Sequence, residues 1–327
     1  MEEFVGIDVS KKKLDVCFNY AGKFLQVPNN SKGIGKLITE LKKKKPKLVV
    51  MEATGGLEKL AFRSLHEAGL KVHVANPRVT HNFVKGTGKF SKTDKSDAKM
   101  LAFYAERMTP TPTTPYGIED EKTRGIIIRR KQLIKMRTEE KNRLSAPNLD
   151  SGIKVSMREM IKLLDDKIDA LDRVLKVRIK SDNKLKEKFD LLMSIKGIGE
   201  VSAFVLLAFM PELGTLSKKQ IASLLGVAPM NRDSGQYSGK RRCVGGRAYP
   251  RTTLFTATIS AMRHNPVIKE FAERLRPTKS SNGKMSKVMI VACMRKLITI
   301  INAMLKDLTP WDDKYLENKA LLKAQKI

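Results

Sequence analysis

The chain has 327 residues, and its hydrophobic content of 41% is enough to build the cores of two or three domains. Its 64 Lys and Arg residues against 34 Asp and Glu give a formal net charge of +30, a field that attracts polyanions. Nucleic acid is therefore the expected partner. No long apolar stretch or isolated basic amphipathic helix is apparent, so a membrane partner is disfavoured.

Cysteine usage and the first residues indicate the compartment. The three cysteines are too few and too scattered for a zinc site or a disulfide framework, and they fit a reducing environment. The segment MEEFVGIDVS lacks the basic and apolar regions of a secretory signal. We therefore expect a cytoplasmic protein.

The first region, residues 1–113, alternates strand and helix signals. Three segments, FVGIDVS, KLDVCFNYAG and KFLQVPNN, are typical of strands joined by short turns, which predicts a β-meander. A helix, a buried strand KLVVMEAT, a second helix and a strand KVHVANP follow. This order predicts an α/β domain with a mixed sheet and helices on its faces, ending at the proline-rich segment TPTPTTPYG.

The second region, residues 114–190, carries charges of both signs and a break at SAPNLDSG, which predicts a helical hairpin. Apolar residues recur at heptad spacing in its second helix and predict a coiled-coil seam. The partner of the seam is either the preceding helix or another subunit, and we favour a contact between subunits. The seam comprises Met157, Ile161, Leu164, Ile168, Leu171 and Leu175.

The third region, residues 191–327, has 23 Lys and Arg against 9 acidic residues and predicts a mainly helical domain with helices around 217–226, 249–263 and 284–306. Its segment LLMSIKGIGEVSAFVLLA is similar to a helix-hairpin-helix. There the amides of Gly197 and Gly199, beside Lys196, would bind a backbone phosphate. The alternative is a plain tight turn between packed helices.

Four acidic residues stand at positions where a basic protein gains from a metal ion. Asp8 and Glu52 lie near the ends of apolar strands, and Asp94 and Asp97 are three residues apart at the predicted start of a helix. Carboxylates without His or Cys suit Mg²⁺, with Mn²⁺ as a substitute, in phosphoryl transfer. The alternative is that Asp94 only caps its helix and Asp8 is an ordinary strand-end residue.

Cations accompany both the acidic residues and a serine-containing turn. Lys92 and Lys95 flank Asp94 and could hold a scissile phosphate, or could simply be solvated. In LLGVAPMNRDSGQYSGKRRCVGGRAYPRTTLF, Ser234 and Ser238 are either turn formers or nucleophile candidates. The cations around this turn suit a phosphate, and they are Arg232, Lys240, Arg241, Arg242, Arg247 and Arg251.

The motifs GIDVSKKKLDV, VVMEATGG, TDKSDAKMLA, SIKGIGEVSA, LLGVAPMNRDSGQYSGKRR and GGRAYPRTTLF resemble those of a known family. The family is the insertion-sequence transposases of the IS one-ten type, relatives of the Piv and MooV DNA invertases. The resemblance implies a RuvC-like, ribonuclease-H-type domain with an Asp-Glu-Asp-Asp set, a coiled coil and a C-terminal transposase domain. The acidic set falls on Asp8, Glu52, Asp94 and Asp97, and the nucleophilic serine falls on Ser234.

The resemblance also implies the activity and the partners. It predicts a metal-assisted DNA transposase or recombinase that works as a homo-oligomer, a dimer or a tetramer, in the bacterial nucleoid. A bridge RNA would pair with donor and target DNA, and acidic residues of one subunit would meet the serine of another. Two other classes stay open: a RuvC-like junction endonuclease that hydrolyses DNA with water, and a non-catalytic nucleic-acid scaffold.

Overall fold

The computed structural model describes residues 3–20, 22–88, 94–114, 118–231, 233–235, 237–275 and 286–312. The chain divides into two compact units, Met1–Gly117 and Ile118–Ile327. The regions that the sequence predicts at 114–190 and 191–327 thus fall largely within one unit. Each unit is described separately below.

The first unit contains one five-stranded sheet in the order β3-β2-β1-β4-β5. The first three strands are antiparallel neighbours, whereas β1, β4 and β5 are parallel, so the predicted meander and mixed sheet are confirmed. This arrangement is compatible with a RuvC-like domain. The elements are β1 (Phe4–Val9), β2 (Lys13–Phe18), β3 (Phe24–Pro28), α1 (Ser31–Lys44), β4 (Leu48–Glu52), α2 (Lys59–Glu67), β5 (Val72–Ala75), α3 (Pro77–Gly86) and α4 (Asp94–Met108).

Alternating side chains of the sheet build two apolar layers. One face, with Ile7 and Met51, packs against α1 and α2, whose Leu37 and Leu65 are fully buried. The opposite face is covered by α4. Gly6 of β1 has no side chain because a Cβ there would collide with the backbone of Ala98 and Ala102 in α4. The helix therefore lies directly on the central strand.

The second unit begins with a helical hairpin formed by α5 (Ile118–Leu144) and α6 (Ser151–Ser181). Asp150 caps α6 by accepting a hydrogen bond from the amide of Gly152 at 2.7 Å. Leu164 and Ile168 of the predicted seam are buried with Leu133 of α5. This part of the seam therefore contacts the preceding helix of the same chain, so the favoured contact between subunits is wrong for Leu164 and Ile168. Whether the pair forms a coiled coil stays a prediction.

The remaining elements of the second unit are helices around one large core and two short ribbons. The ribbons pair β6 with β9 and β7 with β8. The elements are α7 (Asn183–Met193), α8 (Glu200–Phe209), α9 (Lys218–Leu225), β6 (Pro229–Met230), β7 (Asp233–Ser234), β8 (Tyr237–Ser238), β9 (Arg242–Cys243), α10 (Ala248–His264), α11 (Pro266–Arg274) and α12 (Lys287–Asp307).

Helix α12 corrects one expectation from the sequence. Its 21 residues are long and apolar enough to cross a membrane by length and composition, so the expectation of no long apolar stretch is wrong. Ten of its side chains are buried, and nine of these, including Cys293 and Leu297, belong to the core that it shares with α7 to α11. Burial raises the pKa of the Cys293 thiol to about 11. The apolar character of α12 is therefore explained by its place in the core.

Candidate functional sites

The carboxyl ends of β1 and β4 bring two predicted site residues together. The parallel register pairs Ile7 with Met51, and one further step along both strands places Asp8 beside Glu52. Adjacent strands lie about 4.8 Å apart, and residues in register point to the same face of a sheet. Asp8 and Glu52, both half-buried, thus share one corner of the sheet on the face covered by α4.

Helix α4 brings the other two acidic residues toward that corner. It runs antiparallel to β1, because Ala98 lies over Gly6 while Ala105, two turns later, packs in a cluster with Phe4. Asp97 is half-buried one residue before Ala98, and the helix begins at Asp94. The start of α4 therefore lies toward the carboxyl end of β1. The side chains of Asp94 and Lys95, and all of Lys92, lie outside the described residues.

Two hydrogen-bonded groups fix the chain around Glu52. The hydroxyl of Thr80, a residue only 2% exposed, donates to Oε1 of Glu52. Oε2 of Glu58 accepts from the amides of Thr54 at 3.0 Å and Gly56 at 2.9 Å, closing the loop after β4. Burial alone would raise the pKa of Glu58, but these hydrogen bonds hold it below its ordinary value. The segment that follows Glu52 is thus anchored by a charged group.

A fifth carboxylate, which the sequence analysis missed, stands next to Asp8. The antiparallel register places Asp15 of β2 directly opposite Asp8, and Asp15 is 1% exposed. Its Oδ2 lies 3.1 Å from Nζ of Lys13, and its Oδ1 accepts from Nε2 of Gln26 at 2.5 Å. In the segment KLDV, Asp15 follows the alternation of polar and apolar residues that is typical of a strand with one face exposed to water. Asp15 lies on the face of the sheet that α4 covers, and its carboxyl group is therefore buried.

The donor set at this corner fits a hard divalent cation by its chemistry, because all its ligands would be carboxylate oxygens. Within the described residues, which leave out the Asp94 side chain, no group of three or more His, Cys, Asp or Glu is arranged to hold a metal ion. The described side chains therefore do not by themselves form a complete metal cage.

In the second unit, the serine turn lies between α9 and α10 and forms the β6–β9 ribbon, with the β7–β8 hairpin between its two strands. Glycines close the base of the β6–β9 ribbon: a Cβ on Gly226 would collide with the carbonyl of Gly245, and one on Gly246 with the backbone of Gly226. Gly226 also ends α9 in the left-handed conformation, with φ of 82°. Only glycine allows the two segments to approach this closely. The ribbon is thus held at its base by backbone contact.

The two candidate serines have different surroundings at the far end of this ribbon. Ser234 pairs with Tyr237 in a two-residue hairpin and is exposed. Ser238, also exposed, donates its hydroxyl hydrogen bond to Oδ1 of Asp233 at 3.2 Å. The hydroxyl of Ser238 is therefore engaged locally. The two serines, which the sequence left as alternatives, are distinguished by this contact.

The predicted phosphate-binding cations fall into three groups. Lys240, Arg241 and Arg242 are exposed on the ribbon, whereas Arg232 lies outside the described residues. Arg251 donates to the carbonyl of Gly245 at 2.5 Å. Arg247 forms the third group. Among the described cations of this turn, the first group leaves its charge on the surface of the ribbon.

Arg247 is bound within the fold. Both of its terminal nitrogens lie 2.6 Å from the carboxylate oxygens of Glu212, and one also donates to the carbonyl of Phe209 at 2.8 Å. Burial alone would raise the pKa of Glu212, but the hydrogen bonds from Arg247 hold it below its ordinary value. The guanidinium thus joins the start of α10 to the segment after α8. A role in nucleic-acid binding stays a prediction.

The turn between α7 and α8 owes its first glycine to packing. Gly197 has φ of 104°, and a Cβ there would lie 2.6 Å from the backbone of Ala261 in α10. Gly199 is exposed with open space around its Cα, and Lys196 is exposed beside the turn. The close approach to α10 is sufficient to explain Gly197. Phosphate binding by this turn, and a helix-hairpin-helix assignment, stay predictions.

Comparisons with known proteins identify the family of this chain. A family model for transposases of the DEDD IS110 type matches residues 5–151, and a model for the transposase IS116/IS110/IS902 family matches residues 189–273. The pilin gene-inverting proteins of Moraxella lacunata and Moraxella bovis are each 30% identical over 329 residues, covering 96% of this chain and 99% of theirs. The chain therefore belongs to the IS110 transposase family, and it is a DNA transposase or recombinase.

Proposed function

We propose that this chain is an RNA-guided recombinase that cleaves and rejoins donor and target DNA through a serine nucleophile, and that the nucleophile is Ser234. The observation that carries this choice is the difference between the two serines: Ser234 is exposed at the hairpin, whereas Ser238 is hydrogen-bonded to Asp233. The Ser234 hydroxyl can approach a phosphate without first breaking that local contact.

The chemistry of such a step conserves the phosphodiester energy. Oγ of Ser234 forms a bond to phosphorus, the bond from phosphorus to the leaving-strand oxygen breaks, and the proton from the serine passes to that oxygen. Attack by a strand hydroxyl on the serine-linked phosphate reverses these changes and frees the serine. Rejoining therefore needs no ATP. Lys240, Arg241 and Arg242, exposed on the same ribbon, supply positive charge for the phosphate.

We infer that Asp8, Glu52, Asp94 and Asp97 hold a divalent cation, with Mg²⁺ as the natural ion and Mn²⁺ as a substitute. The register of β1 and β4 and the direction of α4 support this assignment. When bound, the ion stabilises negative charge on the attacking and leaving oxygens. Thr80 holds one oxygen of Glu52, which leaves the other available as a ligand.

Guidance by an RNA is supported by the charge of the protein and by the family resemblance. A net charge of +30 favours contacts to phosphates, and such contacts carry no sequence information. Base pairing of a bridge RNA with donor and target DNA would supply the specificity. The protein would then act in the bacterial cytoplasm, at the nucleoid.

We further propose that the active form is a homo-oligomer assembled through the outer face of α6. Besides the seam that packs on α5, α6 carries apolar residues at a second set of heptad positions, interrupted by Lys167 and Ala170, and these apolar side chains are between 46% and 67% exposed. A second copy of the same helix is the partner that such spacing fits. The stripe consists of Ile153, Met160, Leu163, Val174 and Val177.

The serine assignment is tested with two single-atom changes made in parallel. Ser234→Ala and Ser238→Ala each remove one hydroxyl from the same exposed hairpin, so each is the control of the other. We expect a protein–DNA adduct that survives denaturant with Ser238→Ala and with the unaltered protein, and none with Ser234→Ala. Normal strand cleavage by Ser234→Ala would instead favour the water-using junction endonuclease.

The scaffold alternative is tested at the acidic corner. Asp8→Asn and Asp97→Asn should abolish strand cleavage while DNA binding is retained, because each change removes a charge from the proposed metal ligands. Asp166→Asn, on the exposed surface of α6, is the control for a lost carboxylate. Unchanged strand cleavage by both variants would show that these carboxylates take no part in the reaction.

A further inference from the structure

A groove of about 820 Å³ lies in the second unit between the start of α9, the β6–β9 ribbon and one side of α12. Seven cationic side chains line it, and within the described part of the chain no acidic side chain does. Six of the seven are exposed, and Lys296 is half-buried. The seven are Lys218, Lys219, Arg241, Arg242, Lys287, Arg295 and Lys296.

This arrangement is costly for the protein alone. Like charges gathered around one concavity repel each other, and the low-dielectric walls concentrate the field inside it. Lys218 and Lys219 also stand in the first turn of α9, where the helix dipole disfavours positive charge. A polyanion in the groove would relieve both effects.

The walls between the cations are apolar. Phe271 of α11 and Val291 of α12 line the groove, and Val288 is 80% exposed at its side. An intact duplex turns its phosphates outward and keeps its bases stacked inside, so it would leave these walls uncovered. A single strand can set its phosphates against the cations while a base or sugar covers the apolar surface.

We propose that this groove binds an unpaired segment of nucleic acid, through its phosphodiester backbone and one or more bases. The β6–β9 ribbon forms one wall and continues into the hairpin that carries Ser234, so a strand in the groove is led toward that serine. The inference rests on the proposed function for this last step only. Binding in the groove follows from its own charge and shape.

The test measures equilibrium binding of single-stranded RNA, single-stranded DNA and a DNA duplex of equal length to the full chain. The groove variant carries Lys218→Gln, Lys287→Gln and Arg295→Gln, all at exposed positions. Its control loses the same charge at exposed residues that do not line the groove: Lys180→Gln, Lys184→Gln and Lys186→Gln. Thermal unfolding verifies that both triple variants are folded.

We expect the groove variant to bind single strands on the order of 50-fold more weakly at 0.15 M salt, because each lost phosphate contact lowers the salt slope by about 0.7. The control and the duplex affinity should change much less. Loss for RNA alone identifies a guide strand, loss for DNA alone a substrate strand, and loss for both a general backbone site. Unchanged single-strand binding, or equal loss in the control, overturns the proposal.

A second variant tests the apolar wall without altering charge. Val288→Ser should weaken single-strand binding and leave the duplex unaffected, and Val155→Ser, at an exposed residue of α6 outside the proposed stripe, serves as its control. If the triple variant does not fold, Val288→Ser alone tests whether the groove binds single strands. The adduct assay on Ser234→Ala is independent: weaker binding in the groove variants with an unaltered adduct in Ser234→Ala would retain the groove and reject the serine mechanism.

Discussion

Thr80 donates its hydroxyl hydrogen bond to Glu52, and this contact joins the first turns of α3 to the last residue of β4. Thr80 is 2% exposed, so the contact is shielded from water. A hydrogen bond to a carboxylate in such a place fixes which oxygen points outward. Thr80 is thus a positioning residue for Glu52 in the proposed metal site.

Thr80→Val removes this hydroxyl with almost no change of shape. We expect its dissociation constant for Mn²⁺, measured by titration calorimetry, to rise by about 10-fold or more, as for other groups that orient metal ligands. Thr80→Ser keeps a hydroxyl and should retain most of the affinity. Equal Mn²⁺ affinity in Thr80→Val and the unaltered protein would show that Thr80 does not position Glu52 for metal binding.

The glycines of the α7–α8 turn form a matched pair for stability. Gly197→Ala adds a Cβ against the backbone of Ala261 at a positive φ, so we expect a loss of about 3 kcal/mol in the free energy of unfolding. Gly199→Ala enters open space at a negative φ and should cost no more than about 1 kcal/mol. Denaturant unfolding of both variants checks this, and similar losses would contradict the packing explanation.

The pair of Glu212 and Arg247 predicts a dependence of stability on pH. The folded state holds the pKa of Glu212 below its ordinary value of 4.5. The pair therefore stabilises the fold fully above pH 4.5, and this contribution is lost as the pH falls through the lower, folded value. Glu212→Gln should lower the melting temperature near neutral pH and flatten its decline in acid. A parallel decline in both proteins would contradict the prediction.

The exposed stripe on α6 predicts a specific effect on self-association. Leu163→Glu places a charge in the centre of the stripe and should shift the mass measured by light scattering toward the monomer. Val155→Glu adds the same charge at a similarly exposed position of α6 outside the heptad pattern, so it should leave the mass unaltered. An equal shift in both variants, or none in either, would argue against assembly through this face.

The helices and strands could be predicted from the sequence because the pattern of apolar and polar residues in each segment agrees with the burial of that segment in the fold. Alternating apolar residues indicated β1 and β2, and the break at residues 145–150 indicated the turn between α5 and α6. The heptad seam was also visible. Its partner was not, because α5 and a second copy of α6 offer the same kind of apolar surface.

For the candidate site, the predicted strand ends at Asp8 and Glu52 and the predicted helix start at Asp94 agree with β1, β4 and α4, and the site itself stays a prediction. Two contacts that depend on tertiary packing were not predicted. Asp15 is buried on the face of the sheet that α4 covers, and Arg247 is bound by Glu212, which lies 35 residues away. A composition rich in cations cannot show which of them the fold has already neutralised.

Helix α12 also sets an order for synthesis. The described helices that share its core lie between residues 183 and 274, so they leave the ribosome before it does. The residues of the first unit are complete once residue 117 has emerged, whereas the second unit has an apolar surface without a cover until residue 307 has emerged. A ribosome that stalls in this interval would release a chain with a finished first unit and an aggregation-prone second one.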